Sequence, residues 1–283
     1  MTTASTRRLE AALAFAEYYA SLPDVRAIGC AGSVARGRAD SHSDIDILVF
    51  WSSDRAELGE EGPLAGAGGT RFSWSGVRET GDALEQYFVD GLKVDVGHRP
   101  LRQQKKNFAR LLQSHEISPE LLKEMAILGD LVPLHGKEEI ARIRSEARTY
   151  PPELRAVVVE SLLPITPPFY LRLCLRRGDL LGFASILVDI AGRALSILAA
   201  INGIYVHPGG GLKGIIDRLR EVEIPLTELG ILLEQLVRMP SETSVPALVE
   251  NLESLLALVD RHVNAASTAR ARHILRLEIS EQP

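Results

Sequence analysis

From Thr6 to Leu22, apolar side chains recur at helical spacing until Pro23 closes the segment, which predicts an amphipathic helix. The pattern then changes. VRAIGCA, ending at a Gly-Ser turn, reads as a buried strand, and IDILVFW (Ile45–Trp51), dense in branched and aromatic residues, as a second. Between Ser52 and Thr70, Gly59, Gly62, Gly66, Gly68 and Gly69 with one proline break any period, so a mobile loop is expected, with RFSWS as a short strand after it. LEQYFVDGLKVDVGH holds two strand-like runs parted by Asp90-Gly91, the dipeptide that tight primed turns prefer, and predicts a hairpin. After Pro100 the helical period dominates. It predicts helices over Leu101–Gln113 and Pro119–Leu128, one last strand in LVPLHG (Leu131–Gly136), and then helices over Glu138–Thr149, Glu153–Leu163, Pro168–Arg177, Leu180–Ile201, Gly211–Arg220, Leu226–Arg238 and Val245–His273. The layout is α+β: a mixed α/β domain over residues 1–140, then an all-helical bundle domain over 141–283, with no internal repeat and no low-complexity tract.

Composition narrows the function classes. The 283 residues, 46% hydrophobic and 24% charged, exclude a disordered or fibrous chain and suffice for a full core. A net charge of -5 and a pI near 5.9 lack the basic surplus that phosphate neutralisation demands, so nucleic acid is disfavoured as the main partner. Cys30 and Cys174 stand far apart in no metal-like spacing and read as free, largely buried thiols of a reducing compartment. Glu10 and Glu17 interrupt what a leader peptide would need as an apolar run. Asp189 and Arg193 break the longest apolar stretch, Leu180–Ile204, and sit four apart, where they can pair on one helix face. A soluble cytoplasmic protein, not associated with membrane, is expected.

Candidate chemistry concentrates in GCAGSVARGRADSHSDIDILVFW, residues 29–51. Asp44 and Asp46, two apart at the start of a strand, project from the same face. Two carboxylates held that close repel, and one pKa rises unless a cation compensates. Magnesium, which takes one or two carboxylates plus substrate phosphates, is the natural compensator. Upstream, Gly32-Ser33 follows a strand and precedes a helix-like stretch. Glycine there lets backbone approach a phosphate, a helix N-terminus offers free amides, and the serine hydroxyl adds a donor. In KVDVGH, Val94 and Val96 alternate inward while Lys93, Asp95 and Gly97 share the other face, so Asp95 is the candidate third acid.

G-S-x-x-x-G followed by S-D-x-D, with a third Asp on a later strand, resembles the DNA-polymerase-β-like nucleotidyltransferase superfamily, and GSVARG…DSHSDIDILV looks most like its minimal and antibiotic branches with a helical C-terminal domain. The resemblance implies a catalytic domain with a mixed sheet flanked by helices, a helical substrate-binding domain behind it, and transfer of a nucleoside monophosphate, AMP from ATP foremost, to a hydroxyl with release of pyrophosphate. It further implies that Asp44, Asp46 and Asp95 hold magnesium (two ions), that Gly32 and Ser33 grip the triphosphate, and that Asp95 also activates the acceptor hydroxyl. Arg36, beside the phosphate turn, would add charge-assisted hydrogen bonds to a β or γ phosphate. INGIYVHPGGGLKGI resembles an Asn-x-x-Tyr-x-Pro-Gly-x-Lys-like segment of related enzymes at Asn202, Tyr205, Pro208 and Lys213, making Lys213 a candidate triphosphate ligand, although three glycines move it further from the proline.

The leading reading is a magnesium-dependent nucleotidyltransferase acting on a small molecule, aminoglycoside- or lincosamide-like antibiotics included. A protein adenylyltransferase of antitoxin type, a non-catalytic nucleotide-binding sensor and an RNA end-modifying enzyme are the alternatives.

Overall fold

A computed structural model describes residues 1–52, 62–75, 82–206, 212–219, 222, 227–263 and 268–277, without the side chains of Lys213, Asp217 and Thr227. The chain divides into two compact units, Met1–Glu116 with Glu124–Thr149, and Ile117–Lys123 with Tyr150–Pro283.

The first unit is built on a six-stranded mixed sheet. Its elements are α1 (Thr3–Ala20), β1 (Val25–Cys30), α2 (Gly32–Ala35), β2 (Ile45–Trp51), β3 (Thr70–Trp74), β4 (Ala83–Val89), β5 (Leu92–Pro100), α3 (Leu101–Phe108), α4 (Pro119–Leu128, whose first residues belong to the other unit), β6 (Val132–His135) and α5 (Lys137–Ala147). The strand order is β3-β4-β5-β2-β1-β6. β2 runs parallel to β5, and the other described pairings are antiparallel. The hairpin forms as its dipeptide predicts: Asp90 and Gly91 both take positive φ (48° and 78°), the geometry of a primed turn.

Alternation sorts the two sheet faces. Ile45, Ile47 and Val49 of β2, with Val94 and Val96 of β5, are buried against Ala12, Phe15, Ala16 and Tyr19 of α1. A fully buried apolar side chain of this size contributes roughly 1.5–3 kcal/mol, so this layer fixes which residues β2 and β5 turn to the second face. There Gly29 abuts Leu131 and Ile140, packing α5 close to β1. Because α5 packs on β1 and β6, the first unit runs past residue 140 to Thr149.

The core face also buries charge. Glu85 is fully buried and accepts hydrogen bonds from Tyr19 Oη (3.0 Å), Tyr87 Oη (2.6 Å), Arg71 Nη1 (2.9 Å) and His98 Nε2 (3.0 Å). Trp51 Nε1 donates to His98 Nδ1 at 3.2 Å; an indole N–H only donates, so the His98 proton sits on Nε2, facing Glu85. Burial alone would raise the Glu85 pKa, but the hydrogen bonds from His98, Tyr87 and Arg71 outweigh it and hold the carboxyl below its usual range. Gly62 closes over this group with φ +75°; a Cβ there would lie 1.8 Å from Tyr87 Oη.

The expected loop over Ser52–Thr70 is corrected for its described part. Pro63–Ala67 form a 3-10 turn anchored by fully buried Leu64, because one apolar side chain seated in the core overrides the local glycine content. Residues 53–61 lie outside the described set.

The second unit is helical: α6 (Pro152–Leu162), α7 (Phe169–Arg176), α8 (Leu180–Ile201), α9 (Leu212–Leu219), α10 (Thr227–Arg238), α11 (Val245–His262) and α12 (Thr268–Leu275). α8 is long and apolar enough to cross a membrane by length and composition, yet Ala194–Ile201 are buried without a break, as in a core helix. Asp189 and Arg193 pair at 2.9 Å on its exposed side. The single helix expected over Val245–His273 is two: Val263 leaves helical conformation (φ -132°, ψ 120°), and α12 packs on α11 through Thr268 and Arg272, which both bond Asp260. Cys30 is buried, its thiol pushed up to about 12 chiefly by burial, whereas Cys174 is only half-buried.

Glu85→Gln is expected to cost about 2 kcal/mol or more at neutral pH, because hydrogen bonds to a buried charge are exchanged for weaker ones. A carboxyl whose pKa falls on folding stabilises above its unfolded value of 4.5, and this stability is lost as pH drops through the folded value. Urea unfolding at a series of pH values checks both: the wild-type advantage should be complete at pH 7 and shrink in acid.

Candidate active site

The parallel register of β2 on β5 sets Asp46 directly beside Asp95. Asp44 precedes β2, and because Ile45 and Ile47 are committed to the core, Asp44 and Asp46 emerge together on the second face. One oxygen from each of Asp44, Asp46 and Asp95 falls within a 4.8 Å cluster, and all three residues are half-buried. The sequence-derived trio is thus brought together by the fold.

The cluster is crowded with negative charge, and its surroundings answer only part of it. Lys93, two residues before Asp95 on the same face, donates from Nζ to Asp95 Oδ2 (2.7 Å) and Asp44 Oδ2 (3.0 Å). Gln86 on β4, paired with Asp95 in register, donates from Nε2 to Asp95 Oδ1 at 3.1 Å. Asp46 has no such partner among the described residues. Burial first, then the charges of Asp44 and Asp95, push its pKa up to about 6, against the weaker pull of Lys93 and Arg36. The repulsion expected between neighbouring carboxylates thus contributes to the rise, second to burial.

The Gly-Ser turn is built against the same carboxylate. The Ala31 amide donates to the Asp46 carbonyl at 2.9 Å, and Gly32 turns with φ +65°. A Cβ on Gly32 would lie 1.9 Å from Asp46 Oδ2, so position 32 admits no side chain while Asp46 keeps its place. The loop to Asp44 is held from α1: Ser5 Oγ accepts the Ala39 amide (2.9 Å), and Arg8 donates to the carbonyls of Ser43 (2.8 Å) and Ser41 (3.1 Å). His42 is exposed in this loop, and Ser43 Oγ bonds Asp40.

Other candidates separate. Ser33 follows Gly32, and its hydroxyl makes no hydrogen bond among the described residues. Arg36 reaches Asp130 at 3.7 Å and acts on Asp46 by charge. The Lys213 side chain lies outside the described set, as do residues 207–211; of that segment, Asn202 caps α8 and Tyr205 stacks on Tyr150 with centroids 4.3 Å apart. Gln86 was missed by sequence reasoning, though its alternation with buried Glu85 and Tyr87 places it on the carboxylate face.

Two substitutions test this geometry. Gly32→Ala should cost about 1–3 kcal/mol from the left-handed backbone alone, read as a lower thermal midpoint. Asp46→Asn should act oppositely without divalent metal. An acid whose pKa rises on folding, here from 3.8 to about 6, destabilises above its unfolded value, in full once pH passes the folded one. The variant should therefore be more stable by up to about 3 kcal/mol at pH 7.5, with the gain vanishing as pH falls to 4 in urea titrations.

With the geometry in view, comparison with known proteins supplies the family. Residues 14–151, which include the end of α1, the whole sheet and all three acids, match the nucleotidyltransferase domain family. Among solved structures the chain is similar to a nucleotidyltransferase-like protein from Exiguobacterium sibiricum, at 13% identity over 90% of this chain and 75% of that one, with a TM-score of 0.40. No curated protein matches it. The family match covers the segment that folds into the sheet and its carboxylates, and the chain carries a nucleotidyltransferase domain over residues 14–151.

Proposed function

We propose that this nucleotidyltransferase moves a nucleoside monophosphate, AMP from ATP, to a hydroxyl of a small molecule, with magnesium held by Asp44, Asp46 and Asp95. The observation that carries the reading is the convergence of three carboxylates within 4.8 Å, one of them in contact distance of the glycine turn that follows β1. Hard oxygen donors at this spacing fit magnesium, and the raised pKa of Asp46 marks charge that a divalent ion would neutralise. When bound, magnesium supplies charge stabilisation for the attacking and departing oxygens. Three acids are enough for two ions.

The remaining work falls to the chain. Gly32 lets the turn approach a phosphate, Ser33 offers its unused hydroxyl, and Arg36 adds positive charge beside it. Lys213 is a further triphosphate contact on this reading. Asp95 takes the proton of the acceptor hydroxyl as general base. The acceptor oxygen forms a bond to the α-phosphorus as the bond to the β-phosphate bridge breaks, and pyrophosphate leaves with that electron pair.

The acceptor, on this reading, belongs to the helical unit. That unit carries a partly open pocket of about 220 Å³ whose walls include Leu122, Tyr150, Val158, Ser161, Ser196 and Tyr205. It has hydroxyl groups but no carboxylate in its lining, which suits an acceptor with a neutral, apolar body better than a polycationic aminoglycoside.

Pyrophosphate release from each of the four NTPs with magnesium, across antibiotics and hydroxylated metabolites, tests the proposal. Acceptor-dependent release that disappears in Asp46→Ala supports it. Asp95→Asn should keep nucleotide binding by calorimetry while losing about a hundredfold or more of turnover, the usual worth of a general base. Silence across the panel, with nucleotide still bound, would favour a protein acceptor or a sensor instead.

A further inference from the structure

Lys93 has a place that the reaction scheme leaves unexplained. Its Nζ lies 2.7 Å from Asp95 Oδ2 and 3.0 Å from Asp44 Oδ2, bridging two of the three acids assigned to metal. A protonated amine is a compact, strongly hydrated point charge with three donors, closer to a metal ion in its demands than a planar guanidinium is. It lies between Asp44 and Asp95, where a shared cation would also be drawn, and two like charges compete for that place. Position forces the encounter: residues two apart on a strand share a face, so Lys93 follows Asp95 to the cluster. The side chain is 34% exposed, leaving its four-carbon stem free to swing toward solvent.

From this we infer that Lys93 is a built-in counter-ion that holds the carboxylate site against free divalent metal and gives way when metal arrives together with nucleotide. In the metal-free protein it offsets part of the repulsion among Asp44, Asp46 and Asp95. A lone metal ion must displace it and leave the ammonium without a partner. A metal–nucleotide complex brings phosphate oxygens that accept the displaced ammonium, so the exchange conserves ion pairing. This inference rests on the metal reading of the three acids and adds an order of entry to it.

Manganese titration followed by electron paramagnetic resonance on the full chain separates the two ideas. The metal reading stands if wild type binds Mn2+ with a non-hydrolysable ATP analogue and Asp46→Asn does not. Given that, Lys93→Met should bind Mn2+ without nucleotide about tenfold tighter than wild type, since two half-exposed ion pairs worth a factor of up to about five each no longer compete. Lys93→Arg should stay near wild type, and the advantage of Lys93→Met should vanish once the analogue is present. Lys93→Gln, which keeps a polar side chain, is titrated in parallel, so misfolding of one variant, seen by circular dichroism, does not decide the matter. Unchanged or weaker Mn2+ binding in folded Lys93→Met and Lys93→Gln would overturn the inference, showing that Lys93 only positions its acids. No Mn2+ binding by any variant, with or without nucleotide, would overturn the metal reading and the inference with it.

Discussion

Three carboxylates do not share a space of a few ångströms unless something answers for their charge, and that demand organises the first unit. β2 and β5 must lie parallel and in register for Asp46 to meet Asp95. The core beneath them must be apolar enough to fix which residues face outward. The turn after β1 must be glycine, because the carboxylate of Asp46 takes up the room of a side chain. Each requirement is local chemistry, but they hold together only through the sheet.

The sheet handles buried charge in two opposite ways. On the core face, Glu85 is saturated with donors from Tyr19, Tyr87, Arg71 and His98, and stays ionised despite complete burial. On the second face Asp46 has no side-chain donor among the described residues, and its proton is held more tightly than usual. The first arrangement closes a structure. The second stores an unmet electrostatic demand at one place, as perturbed groups at functional sites commonly do.

Much of this was legible in the sequence because its signals are local. Asp44 and Asp46 two apart before a branched run, Asp90-Gly91 between two alternating segments, and Gly32 after a strand each declare themselves within a few residues. What escaped depends on partners distant in the chain. The Glu85 group gathers side chains from α1, β2, β3, β4 and β5, and nothing near Glu85 announces them. The 3-10 turn at Pro63–Ala67 depends on where Leu64 lands, not on its glycine-rich neighbours. The break between α11 and α12 falls where apolar spacing continues, so periodicity alone runs through it. The alternation that put Lys93 on the same face as Asp95 was readable, but its contact with Asp44, 49 residues away, required the strand order.

That separation also bears on how the protein comes to exist. The β4–β5 hairpin and α1 rest on contacts close in sequence and can assemble early, whereas pairing β5 with β2 must close a long loop before any of its interactions form. The three acids therefore meet only when the parallel pairing is made. A chain still emerging from the ribosome has no assembled carboxylate cluster until β5 has been synthesised, so the site waits on a slow-closing, long-range contact of the sheet.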